Sequence, residues 1–100
     1  MPKGKNRIVK EIREYIMGSG SAPAYWYVGV AEDAREALFR THNVLKDEDL
    51  WIYRTAKSSH VSHQARDRLT SDLETAGSTD AVDGDPRMVY AYRMGAHTEP

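Results

Sequence analysis

The chain has 100 residues, of which 40% are hydrophobic and 29% are charged, and its formal net charge at pH 7 is -1. These values indicate one globular domain with a modest core, and they argue against a disordered chain and against a protein held on nucleic acid by bulk positive charge. The absence of cysteine excludes disulfides and thiolate metal sites, and without a long apolar run or a secretory signal we expect a cytoplasmic protein that does not contact membranes.

Apolar residues at helical spacing predict a first helix over residues 6–17. These residues are Ile8, Val9, Ile12 and Ile16. The Gly/Ser stretch behind them is the most linker-like part of the chain. Residues 1–20 are therefore a basic helix that is either an appendage or a partner of a core spanning residues 24–94.

Cations outnumber carboxylates at the start of this helix. The cations that we assign to a phosphate-binding face are Lys3, Lys5, Arg7 and Lys10, and nearby Glu11 and Glu14 oppose them. Such a face is able to contact the phosphates of DNA or RNA. The alternative is a solvated helix face that contacts nothing.

A strand, a helix and a second strand follow. Residues 25–30 are aromatic and β-branched, which is typical of a strand. Asp33 begins the helix in a capping pattern with Glu36, and Asn43 ends it. The sequence DLWIYRTA, residues 49–56, predicts a second strand that is buried on both faces.

A long helix and a third strand complete the predicted fold. Ser58 or Ser59 caps the helix, Gly77 ends it, and residues 87–94 form the strand. The last six residues are expected to be loose. The order helix-strand-helix-strand-helix-strand predicts a single α/β or α+β domain, whose three-stranded sheet is covered by helices and is mostly parallel or mixed.

Most aromatic residues lie on the predicted strands. They are Tyr25, Trp26, Tyr27, Trp51, Tyr53, Tyr90 and Tyr92. Alternation along each strand puts the two tyrosines of a pair such as Tyr90 and Tyr92 on one face. If helices cover that face, the rings are core; if not, they form a surface for nucleobases or a protein partner.

The sequence YVGVAEDAREALFRTHN, which begins at Tyr27, resembles the second half of the GIY-YIG nuclease motif. In that family a strand ending in Tyr-(Ile/Val)-Gly precedes a helix that carries an essential arginine and often ends near a histidine. The resemblance implies a GIY-YIG-like core, catalytic roles for Tyr27 and His42, and a nucleic-acid contact at Gly29. Its candidates for the arginine are Arg35 and Arg40.

Two features depart from the family pattern. No Gly-Ile-Tyr strand precedes Tyr27, and Tyr15 lies in the predicted first helix. Ala37 occupies the position of the essential arginine, and Arg35 and Arg40 lie about 200° and 300° from it around a helix. The resemblance therefore implies an incomplete catalytic set.

The family also uses a divalent metal, Mg²⁺ or Mn²⁺, held by a glutamate on a later helix. The resemblance makes Asp72 and Glu74 the candidates, with Asp67 a third carboxylate on the same helix. His60 and His63 form a pair at helical spacing, but without a third ligand they indicate exposed histidines rather than a metal site.

The sequence thus predicts a small nucleic-acid-associated domain that resembles a GIY-YIG nuclease and cleaves DNA weakly or not at all. Any activity would be that of a metal-dependent endonuclease. The alternative is a non-enzymatic protein-interaction domain, which uses a tyrosine-rich sheet surface to bind a protein partner or a second copy of itself.

Overall fold

The computed structural model describes residues 2–78 and 80–100. The elements in chain order are α1 (Lys5–Gly18), β1 (Trp26–Ala31), α2 (Ala34–Glu36), β2 (Trp51–Thr55), α3 (Ser59–Leu73) and β3 (Met88–Arg93). The predicted order of helices and strands is confirmed, as is the α+β fold. No helix among the described residues is long and apolar enough to cross a membrane.

The sheet has the order β1-β3-β2, and both neighbouring pairs are antiparallel. Tyr90 of the central strand pairs with Gly29 on one side and with Tyr53 on the other. The expected parallel or mixed pairing is wrong. The strands β1 and β2 do run in the same direction, but β3 lies between them, so neither contacts a parallel neighbour.

The helices α1 and α3 pack on one face of the sheet and form the larger part of the core. The buried apolar residues of α1 are Ile8, Val9, Ile12 and Ile16. They join Trp26 and Val28 of β1, Val89 of β3 and Leu69 of α3 in one cluster. The helix α1 is therefore an integral part of the core and not an appendage.

The start of α3 agrees with the sequence, but its end does not. The Ser58 hydroxyl accepts a hydrogen bond from the Val61 amide, as a helix cap does. The helix ends at Leu73 rather than near Gly77, because Glu74 adopts a left-handed conformation with φ of 56°. This early end frees Ala76 to bridge to Tyr27, beside the edge of β1.

The short α2 and the turn that follows it cover part of the opposite face of the sheet. Asp33 caps α2 by accepting a hydrogen bond from the Glu36 amide. Ala34 and Leu38 pack there against Tyr90 and Tyr92. The strand β2 lies at the edge of the sheet, and Ile52 is its only buried residue, so the predicted burial of both its faces is wrong.

The C-terminal residues are docked on the domain rather than loose. The Glu99 amide donates a hydrogen bond of 2.9 Å to the His42 carbonyl, and the Asn43 side chain donates one of 2.9 Å to the His97 carbonyl. Thr98 is buried. The segment 95–100 therefore forms one wall of the region around His42.

Candidate functional site

His42 lies at the centre of a cluster of tyrosines under the C-terminal segment. Residues Ala37–Thr41 form a π-helical turn, in which the His42 amide bonds to the Ala37 carbonyl. Wide turns of this kind often occur at functional sites. The turn directs His42 onto the sheet, where it is 6% exposed and its ring centroid lies 4.8 Å from that of Tyr27.

The hydrogen bonds of His42 define which of its nitrogens carries the proton. Nδ1 lies 2.5 Å from the Glu99 carbonyl, which only accepts, so Nδ1 is the donor. In the neutral ring Nε2 is then an acceptor, and it takes a hydrogen bond of 2.7 Å from the Tyr90 hydroxyl. A proton-donating chain therefore runs from Tyr90 through His42 to the main chain of Glu99.

Tyr90 and Tyr92 are phenols held in their protonated form. Burial raises the pKa of both, and the neighbouring Tyr27 raises it further, while Arg66 acts in the opposite direction on Tyr90. The Tyr92 hydroxyl also donates to the Glu99 carbonyl. These tyrosines therefore serve as hydrogen-bond donors at neutral pH rather than as phenolates.

Gly29, the glycine of Tyr-Val-Gly, makes room for Tyr90. A Cβ atom at residue 29 would lie 2.5 Å from the Tyr90 hydroxyl oxygen and 2.6 Å from its Cζ atom. The phenol ring thus lies across the backbone of β1, as aromatic residues often do over a strand glycine. Gly29 therefore has a packing role that the resemblance does not by itself imply.

A pocket of about 140 Å³ opens beside this cluster, at the edge of β1. Its walls include Tyr27, Gly29, Tyr90, Arg66 and parts of the loop after α3. The volume is enough for a group several times the size of a water molecule. Two phenol-bearing residues and a guanidinium-bearing residue thus share one small concave site.

Arg66 is the site residue that sequence reasoning missed. It is 2% exposed, its Nε donates to the Asp67 carboxylate at 2.9 Å, and its Nη1 donates to the Asp80 carbonyl at 2.7 Å. A signal was present, because the buried residues Ser62, Ala65, Arg66 and Leu69 follow the spacing of an inward helix face. An arginine at such a spacing is normally assigned to the surface.

The structure brings together three of the five residues implied around the motif. Tyr27, Gly29 and His42 lie in the cluster, whereas Arg35 and Arg40 are exposed and do not line the pocket. The Arg35 guanidinium lies 5.6 Å from the centroid of the Phe39 ring instead. Neither candidate for the essential arginine therefore contributes to the pocket beside Tyr27.

The basic N-terminal residues lie away from the pocket: Lys5, Arg7 and Lys10 are on α1, and Lys3 comes just before it. Glu11 forms ion pairs with Lys3, Arg7 and Arg54 at 3.6, 3.0 and 2.7 Å. Hydrogen bonds from Arg54 and then Arg7 lower the pKa of Glu11 to about 2. Of the four cations assigned to a phosphate face, Lys3 and Arg7 are therefore paired within the domain. The other two are Lys5 and Lys10.

The residues suggested as metal ligands lie outside the pocket. Asp72 is paired with Arg68 at 2.6 Å and Glu74 is exposed, and neither lines the pocket. His63 uses both ring nitrogens, one at the Ser59 carbonyl and one at the Val82 amide. Across residues 2–78 and 80–100, no three His, Asp or Glu side chains are grouped to hold an ion.

The aromatic face of the sheet is only partly covered. Tyr90 and Tyr92 are buried, whereas Trp51 and Tyr53 are half-buried and stack at 6.2 Å, with Phe39 edge-on to Trp51. Tyr15 packs on Trp26, on the opposite face from Tyr27. An exposed surface made of all the strand tyrosines is therefore absent from the described fold.

Comparisons of the chain with protein-family models, with curated proteins and with solved structures give no match. The likeness to the GIY-YIG motif therefore rests on the sequence between Tyr27 and Asn43 alone.

Proposed function

We propose that the chain is a cytoplasmic, nucleic-acid-associated domain, which resembles a GIY-YIG nuclease and cleaves DNA weakly or not at all. The observation that carries the proposal is that Tyr27 and Gly29 line one pocket with Tyr90, while His42 packs on Tyr27 and accepts a hydrogen bond from Tyr90 behind it. Tyr27 and Gly29 come from β1, His42 from the end of the π-helical turn, and Tyr90 from the central strand β3. Their convergence supports a shared binding role for the motif residues.

The chemistry of the site favours binding over cleavage. Phosphodiester hydrolysis needs groups that stabilise charge developing on the phosphate, and loss of one such contact costs roughly 3 kcal/mol of transition-state stabilisation. Position 37 carries alanine, and the described carboxylates and histidines do not group around the pocket. A bound nucleic acid would thus meet hydroxyl and guanidinium donors but few groups able to activate water.

The test is a combined binding and cleavage assay on labelled linear and branched DNA and on RNA, with and without Mg²⁺ or Mn²⁺. We expect salt-sensitive binding that Tyr27→Phe weakens, and little or no cleavage. No salt-sensitive affinity for any of these nucleic acids would contradict the proposal. Metal-dependent cleavage lost in Tyr27→Phe would instead show a working nuclease.

The second candidate is a protein-interaction domain, and the half-buried rings of Phe39, Trp51 and Tyr53 favour it. Contiguous aromatic side chains at a surface are typical of interfaces. Analytical ultracentrifugation tests the homodimer form of this proposal. A concentration-dependent dimer that Tyr53→Ala disrupts would support it, whereas a monomer at all concentrations, with no partner recovered in pull-downs, would count against it.

A further inference from the structure

The side chain that α3 contributes to the pocket beside Tyr27 is a cation and not a carboxylate. The resemblance implies a metal-binding glutamate on this helix, but Arg66 is the residue of α3 that lines the pocket. The carboxylates suggested for the metal, Asp72 near the end of α3 and Glu74 just after it, do not line the pocket. The charge that α3 brings to the site is therefore the reverse of the charge that a divalent ion needs.

Arg66 retains hydrogen-bonding capacity in this position. A guanidinium has five N–H donors, and hydrogen bonds to the described residues engage Nε and Nη1. The partner carboxylate of Asp67 is 48% exposed, so the positive charge is buried more completely than the negative charge that balances it. Burying a cation in this way is costly unless further acceptors complete its contacts.

We propose that the pocket binds a phosphate group through Arg66 without a metal ion, the guanidinium standing where the resemblance implies Mg²⁺ or Mn²⁺. Arginine forms paired hydrogen bonds to phosphate oxygens. Tyr27, whose phenol is a further possible donor to phosphate, and Gly29, which has no side chain, line the same pocket. This inference rests on the proposed function, because it names the phosphate of a nucleic acid as the natural ligand.

Asp80 makes it possible to distinguish a phosphate site from a cation site, since it lines the same pocket and is exposed. Its main-chain carbonyl holds Arg66, while its carboxylate adds negative charge at the rim. Asp80→Asn retains the carbonyl and removes that charge. A phosphate site should therefore bind more tightly in this variant, whereas a divalent-cation site should bind its ion more weakly.

The experiment is an NMR titration of the full chain with inorganic phosphate at constant ionic strength, in EDTA and again in Mg²⁺. We expect millimolar affinity, with shifts at the Arg66 Nε–H group and the Gly29 amide that are the same in both buffers. Arg66→Lys and Tyr27→Phe should weaken binding, the former about tenfold. Asp80→Asn should strengthen it several-fold, and Arg68→Gln, an exposed arginine of α3 outside the pocket, should leave it unchanged.

Three results would overturn the inference: no shift at Arg66 and Gly29 up to tens of millimolar phosphate, a requirement for Mg²⁺, or weaker binding by Asp80→Asn. If Arg66→Lys does not fold, the wild-type shift map and the other two pocket variants decide. A parallel titration with an oligonucleotide separates the two proposals. If the oligonucleotide binds without shifting the pocket signals, only the phosphate inference is wrong. If phosphate binds in the pocket but no oligonucleotide binds, only the proposed function is wrong.

Discussion

Gly29 and Tyr90 are cross-strand partners, and the absence of a side chain on the first determines where the ring of the second lies. The ring position in turn puts the Tyr90 hydroxyl within 2.7 Å of His42 Nε2. The missing side chain of Gly29 thus allows both the packing of the Tyr90 ring on the sheet and the hydrogen bond from Tyr90 to His42.

We expect Gly29→Ala to destabilise the fold by about 1–3 kcal/mol, because the new methyl group would overlap the Tyr90 ring and force it to move. Urea unfolding gives the change. Gly18→Ala is the matched control, since a Cβ atom there meets nothing within 4 Å, and it should be neutral or stabilising because alanine favours the helix. Equal stabilities of Gly29→Ala and wild type would show that the ring is free to shift.

Glu11 makes the stability of the fold depend on acid pH. Its folded-state pKa of about 2 lies below the ordinary value of 4.5. Its ion pairs with Arg54, Arg7 and Lys3 therefore contribute fully above about pH 4.5, and the contribution is lost as the pH falls through 2. The direction follows from the lowered pKa, since the unfolded chain binds the proton more tightly.

We expect Glu11→Gln to be less stable than wild type at pH 6, and the difference to disappear near pH 2. Urea midpoints at the two pH values measure it. Glu14→Gln removes the same charge from an exposed position of the same helix and should give a smaller, less pH-dependent change. A Glu11→Gln deficit that persists at pH 2 would assign the effect to packing rather than to ionisation.

At the scale of elements, local signals in the sequence predicted most boundaries. Ser58 and Asp33 cap their helices through contacts within three residues, and Asn43 takes the left-handed conformation expected at a helix end. Where prediction failed, the deciding contacts are remote in sequence. The insertion of β3 between β1 and β2 and the docking of the last residues on His42 depend on partners that no local pattern specifies.

The same difference between local and remote contacts explains which residues of the candidate site the sequence predicted. Tyr27, Gly29 and His42 belong to one short motif and were recognisable together. Arg66 enters the site because α3 turns it inward and a loop beyond the helix supplies the Asp80 carbonyl. Its burial is thus a property of the assembled fold, and charge alone indicated the opposite.

The C-terminal segment has a measurable role in setting the protonated nitrogen of His42. Deletion of residues 95–100 removes the Glu99 carbonyl that accepts from Nδ1. We expect a loss of about 1–3 kcal/mol of stability and a mixed population of the two neutral ring forms, seen in the ¹⁵N shifts of His42. Glu99→Ala is the control, because it retains the carbonyl. An unchanged His42 spectrum after the deletion would show that the segment does not orient the ring.

At the scale of the whole molecule, α1 stabilises a sheet whose three strands all come after it in the chain. Ile12 is fully buried between α1 and the remaining core. We expect Ile12→Ala to cost about 2–5 kcal/mol, measured by urea unfolding. Met17, on the same helix but 59% exposed, provides the control Met17→Ala, which should change little. A small change in the free energy of unfolding for Ile12→Ala would show that α1 is an appendage and not part of the core.

The central position of β3 also has a consequence for synthesis of the chain. The strands β1 and β2 find no partner in each other, since each pairs with the strand that is made after both. While the chain is being translated, these aromatic-rich segments wait with unpaired edges until residues 88–93 leave the ribosome. Pairing of distant segments is slow, and exposed strands of this kind associate readily. The domain is therefore expected to fold only after β3 emerges, and a chaperone that binds nascent chains would meet β1 and β2 in the interval.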